Sequence, residues 1–105
     1  MITAPLFSLN WRDIHHALQQ PNGSQAMAEQ VLAAIQETRD SNAYRRVDPD
    51  RVRAEAAAAD ARRKVDSSAS PLLGLPVSVK DLFVVEGYDT MAGTPKPLDK
   101  HLGGE

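Results

Sequence analysis

The 105 residues leave room for one small domain, and 42% hydrophobic against 25% charged residues place the chain with soluble globular sequences, away from disordered ones. A net charge of −2, with 12 basic and 14 acidic residues interspersed, provides no field to gather a polyanion and argues against nucleic acid as a ligand. The lack of cysteine excludes disulfides and thiolate metal sites. With no signal peptide and no membrane-length apolar run of about 20 residues, the cytoplasm is the expected compartment.

Asn10 is a good helix N-cap, and Asp13 three residues on completes a capping-box pattern that suits the positive helix end. Trp11, Ile14 and Leu18 then form one apolar stripe, and Pro21-Asn22-Gly23 predicts the stop. Ser24 reads as the N-cap of a second helix, in which Ala28, Val31, Leu32 and Ile35 fit the i, i+3, i+4, i+7 pattern. That helix should fade around Asp40-Ser41-Asn42, and residues 43–47 read as a short extended segment.

Asp48-Pro49 predicts a third helix, with proline where its missing N–H costs nothing. This Ala-rich helix should reach about Lys64 and present a narrow face of Val52, Ala56 and Ala59. Arg51 with Glu55, and Asp60 with Lys64, are spaced to pair on its exposed side. A polar loop, 65–71, follows. Beyond it the composition turns apolar and β-branched: Leu75 to Val79 reads as a strand, and Phe83 to Val85 as the start of another. Nothing earlier in the sequence supplies neighbours for these strands, and a lone pair makes no stable sheet. The expectation is an incomplete α/β unit, with helices over about 10–64 and a lysine-bearing strand segment over about 72–97.

In a strand, Ser78 and Lys80 would share one face, and Val77 and Val79 the other. A buried lysine has a lowered pKa and can act as a base; an exposed strand-end lysine would pair with Asp81 instead. His15 and His16, about 100° apart around a helix, make a poor metal pair. The acids show no paired-carboxylate arrangement, and Gly103-Gly104 is too short for a phosphate loop.

The stretch GLPVSVKDLFVVEGYDTMAGT resembles the amidase-signature family, in which a Gly-Leu-Pro-(Val/Ile)-x-(Val/Ile)-Lys-Asp segment ends in the catalytic lysine. Gly87, Asp89, Thr90, Ala92 and Gly93 agree with the family's next stretch, Asn42-Ala43-Tyr44 with its Asn-Ala-Phe/Tyr segment, and Arg53-Ala54-Glu55-Ala56 with Ala59-Asp60 with its Ala-rich helix. The resemblance implies a mixed-sheet α/β amidase that hydrolyses carboxylic amides to acid and ammonia or amine. It also implies a Ser-Ser-Lys mechanism with Lys80 as the catalytic lysine, and no cofactor or metal. The family's two serines belong to a Gly/Ser-rich segment far downstream of the lysine, absent from these residues, so this chain alone is expected to be inactive. Ser67, Ser68 and Ser70 precede Lys80 without flanking glycines and read as a flexible connector. Ser78 could geometrically meet Lys80, but the family does not use that position. Thr94 reads as structural or close to the pocket.

The partners so implied are a small-molecule amide, the remainder of an amidase chain and, compatibly, a second copy in a homodimer; neither membrane nor nucleic acid is expected. Two alternatives stay open. One is the A subunit of a tRNA-dependent amidotransferase, feeding ammonia to a partner protein. The other is a truncated, non-catalytic helical interaction module.

Overall fold

The computed structural model describes residues 8–95. Three helices, α1 (Trp11–Gln19), α2 (Gly23–Glu37) and α3 (Pro49–Val65), are followed by a long irregular segment, with a 3-10 turn at Arg39–Ser41 after α2. Helix α2 packs against both α1 and α3. Leu18, Met27, Ala28, Ala56 and Ala59 are buried between them.

The start of α1 forms as its sequence dictates. Asn10 Oδ1 accepts from the Asp13 N–H at 2.9 Å, and the Asp13 carboxylate accepts from the Asn10 N–H at 3.5 Å. Of the apolar stripe only Leu18 is fully buried; Ile14 is half-buried, and Trp11 stays exposed with its ring 5.7 Å from that of His15. Asn22 takes a left-handed conformation, φ 57°, and turns the chain into α2. Gly23 sits where the two helices nearly touch. A Cβ there would lie 2.2 Å from the Ala17 carbonyl oxygen and 2.7 Å from that of Leu18. Backbone cannot retreat as a side chain can, so Gly23→Ala should destabilise the fold by about 1–3 kcal/mol, read as a lower urea midpoint.

Ser24 is not the cap of α2. It lies inside the first turn, fully buried, and Asn22 holds the cap position without a side-chain bond to the helix backbone. The orphan N–H groups of that turn are satisfied by a residue far away in sequence, Asp60. In α2, Val31, Leu32 and Ile35 are only half-buried. Leu32 and Ile35 line an open groove of about 430 Å³ with Val47, Pro49 and Arg53.

Helix α3 begins as expected, with Asp48 Oδ1 accepting from the Arg51 N–H at 3.2 Å and Pro49 in the first turn. Arg51 and Glu55 pair at 3.2 Å. Asp60 does not pair with Lys64 on the surface: it is 4% exposed and bonded to Arg63 at 2.8 Å. The buried face of α3 therefore continues from Ala56 and Ala59 to Asp60 and Arg63, one helical stripe that ends in charge. Arg62, Arg63 and Lys64 in the last turn suit its negative end.

The expected strands do not form. Among the described residues no strand is present, neither at Leu75–Val79 nor at Phe83–Val85. Pairing is limited to a single antiparallel bridge between Val85 and Tyr88. A strand is stabilised by the chain beside it, and the described residues offer none. The described part is thus helix-rich, and the mixed sheet is not seen in it. Pro97 and Gly103-Gly104 lie outside the described residues.

Candidate active site around Lys80

Lys80 follows a stretch without helix, turn or ladder, and its carbonyl accepts from the Phe83 N–H at 3.1 Å in the turn that ends the stretch. Val77, Ser78, Val79 and Lys80 are all exposed, so neither face of the expected strand is covered. Among the described residues no hydrogen bond or ion pair reaches the Lys80 ammonium. None joins Ser78 to Lys80, and Asp81, the expected partner, is engaged elsewhere. The segment is held at both ends by charged side chains.

The upstream anchor is a polar cluster between α2, α3 and the turn before the lysine segment. Asp60 Oδ1 accepts from the Ser24 N–H at 2.9 Å, and Oδ2 from the Gln25 N–H at 3.0 Å and the Gln25 side chain at 2.9 Å. Arg63 donates to Asp60 Oδ1 at 2.8 Å, to Ser24 Oγ at 2.9 Å and to the Leu73 carbonyl at 2.6 Å. Gly74, at φ 80°, passes so close that a Cβ would lie 1.9 Å from Ser24 Oγ. Burial alone would push the Asp60 carboxyl up. The hydrogen bonds from Gln25, from the Ser24 and Gln25 backbone and from Arg63 outweigh it and hold the carboxyl below its ordinary range.

The downstream anchor centres on Asp81. Its Oδ1 accepts from the Met91 N–H at 3.1 Å, its Oδ2 takes an Arg45 ion pair at 2.9 Å, and its carbonyl accepts from the Ala92 N–H at 2.9 Å. The Met91 N–H and then the Arg45 guanidinium hold the Asp81 carboxyl below the ordinary range. Arg45 also donates to the Asp89 carbonyl, closing the loop between Asp81 and Ala92 onto the segment before α3. Within that loop the buried Thr90 hydroxyl donates to the Phe83 carbonyl at 3.2 Å. Arg51 of α3 donates to the Glu86 carbonyl and lies 4.8 Å from the Tyr88 ring centre; Arg46 lies 5.7 Å from the same ring.

The remaining candidates fall away from chemistry. Ser68 donates to Asp66 Oδ1 through both its N–H and its hydroxyl, and Ser70 Oγ accepts from the Leu72 N–H, so both shape turns. Thr94 donates to the Met91 carbonyl at 2.6 Å in another turn. Among the described residues no group of three or more His, Cys, Asp or Glu is arranged to hold a metal ion, and no helix is long and apolar enough to cross a membrane. Sequence reasoning missed Ser24, Asp60, Arg63 and Arg45 as anchors. The register of Asp60 and Arg63 with Ala56 was the available signal for two of them.

Comparison with known proteins supplies what geometry does not. The chain is 41% identical over 91 residues to the A subunit of glutamyl-tRNA(Gln) amidotransferase from Geobacter sulfurreducens, an alignment covering 85% of this chain and 19% of that protein. The proteins of the same name from Ralstonia nicotianae and Anaeromyxobacter sp. (strain K) are 42% and 46% identical over 76 and 72 residues. Those alignments cover 72% and 68% of this chain and 15% of each relative. The chain thus spans less than a fifth of the length of the curated relatives it matches. No solved structure matches it. The Amidase family profile matches residues 26–100, from the first turns of α2 past the lysine segment and its closing loop, and the chain belongs to that family.

Proposed function

We propose that these residues are the N-terminal part of an amidase domain whose catalytic lysine is Lys80. In the reaction a serine Oγ attacks the amide carbonyl carbon, and its proton passes through a second serine hydroxyl to the uncharged lysine amine. The C–N bond breaks with return of a proton to the departing nitrogen, and water then cleaves the acyl-serine to free the acid. Both serines belong to chain beyond the described residues. What supports the reading most is GLPVSVKD falling inside the matched region, with Lys80 flanked by two anchors.

The uncovered apolar side chains around the lysine agree with a partial domain better than with a self-sufficient helical module. Val77 is 77% exposed, Phe83 63%, Leu72 59% and Leu82 55%. Large apolar side chains this exposed along one short segment are more often covered by protein than left in water. The remainder of the amidase domain is the covering that the relatives' greater length supports.

The names of the relatives favour one version, in which the released ammonia is passed to a partner protein that works on aminoacyl-tRNA. The test is ammonia release from glutamine and from simple carboxamides by the full-length polypeptide, alone and with candidate partner proteins and charged tRNA. Release from simple amides by the isolated polypeptide marks a free-standing amidase. Release that rises at least about tenfold only with partner and tRNA marks the amidotransferase. No release under either condition removes the amidase reading.

A further inference from the structure

The residue next to the lysine is an aspartate, and an anion there works against the chemistry. An opposite charge within about 4–6 Å stabilises an ammonium and raises its pKa by about 1–3, which shrinks the uncharged fraction about tenfold per pH unit. Yet both Asp81 carboxylate oxygens are already in use: Oδ2 by Arg45 Nε at 2.9 Å, Oδ1 by the Met91 N–H at 3.1 Å and by Arg45 Nη2 at 3.5 Å. Arg45 is fixed in turn by the Asp89 carbonyl.

We propose that Arg45 is a positioning residue for Lys80: by occupying the Asp81 carboxylate and adding its own positive charge, it keeps the neighbouring anion from pairing with the lysine. The inference rests on the reading of Lys80 as the base. Among the described residues the neighbouring cations are engaged elsewhere, whereas Asp89 and Glu86 are bonded through their backbone carbonyls only, so Asp81 is the anion of this loop that carries a cation. Arg46 and Arg51 approach the Tyr88 ring, Arg51 also bonds the Glu86 carbonyl and pairs with Glu55, and Asp89 contributes its carbonyl to Arg45. Among the described residues Arg45 is therefore the side-chain cation on Asp81, and the competitor it excludes is the lysine one residue away. The Arg45 and Asp81 side chains are 40% and 33% exposed, so their ion pair by itself contributes little to folding.

The experiment is the pH dependence of kcat/KM for a simple carboxamide, measured on the full-length polypeptide. In Arg45→Gln, and in Arg45→Met as a second neutral variant, the rising limb is expected to move up by about one pH unit. Arg45→Lys should hold the limb near its original place. Adding Asp81→Asn to Arg45→Gln should bring the limb back, because the anion is gone. A limb that stays put in both neutral variants, with the rate lowered equally at every pH, overturns the inference. So does a double variant whose limb remains displaced. Lys80→Ala separates the two levels: if it abolishes turnover while the limb of Arg45→Gln is unmoved, only the inference falls; if it leaves turnover intact, the underlying reading falls and the inference with it.

Discussion

Replacing Asp60 by alanine is expected to uncouple α2 from α3. The carboxylate accepts from two backbone N–H groups of the first turn of α2, from the Gln25 side chain and from Arg63. Two of those donors are orphan groups that every helix N-terminus must satisfy. Ser24 is fully buried and water does not replace the lost acceptor there. Arg63, whose side chain is 15% exposed, is left a largely buried cation with a hydroxyl and a carbonyl for company. Removing one partner of such a pair destabilises by about 3 kcal/mol, reduced from the fully buried case by the partial exposure of Arg63. A domain this small has little to spare. The urea midpoint of the helical signal at 222 nm should therefore collapse, and the Ser24 and Gln25 amides should lose their protection from hydrogen exchange. Asp60→Asn keeps one acceptor and should fall between. An Asp60→Ala midpoint equal to that of the original chain would show that the cluster is incidental.

The same contact has a pH signature whose sign is fixed. The folded carboxyl lies below its ordinary range. Its stabilisation is therefore complete above the unfolded value of about 3.9 and is lost as the pH falls through the lower folded value. The gap between Asp60→Ala and the original chain should be full at neutral pH and close below about pH 4. Asp66 and Asp81 shift in the same direction but are surface groups, so they add little to this titration.

What the sequence shows and hides follows from how far each interaction reaches along the chain. The Asn10 and Asp13 capping box and the Asp48-Pro49 start involve partners three residues apart, and both form as read. The start of α2 does not, because its cap is an aspartate 36 residues away. Ser24 carries the right side chain for a cap, but the buried contact with α3 turns its hydroxyl into an acceptor for Arg63. The strand signal at Leu75–Val79 is a statement about side chains suited to a covered surface; a ladder also needs neighbours, which the described residues lack. The reading of Lys80 as a base rests on the family resemblance of its segment. Its exposed position here carries no sign of a base.

Lys80→Ala is the substitution with the largest effect on turnover. A proton acceptor at the end of a serine relay contributes about 10²–10⁴-fold, and groups that act as one unit lose nearly everything together, so a fall of about 10³-fold or more in kcat is expected in the full-length polypeptide. Lys80→Arg is the sharper variant. Arginine keeps the length and the charge but cannot give up its proton at working pH, so a base is lost while a cation is retained. If the lysine serves as a base, both variants are equally dead; if it serves as a fixed positive charge, Lys80→Arg survives. In this chain the side chain is exposed, and an exposed substitution of this kind should change the unfolding free energy by about 0.5 kcal/mol at most. An enzyme that folds normally, binds its amide and fails with both alanine and arginine at position 80 is the result that a neutral-lysine mechanism requires. Substantial turnover by the arginine variant would assign the proton to another group.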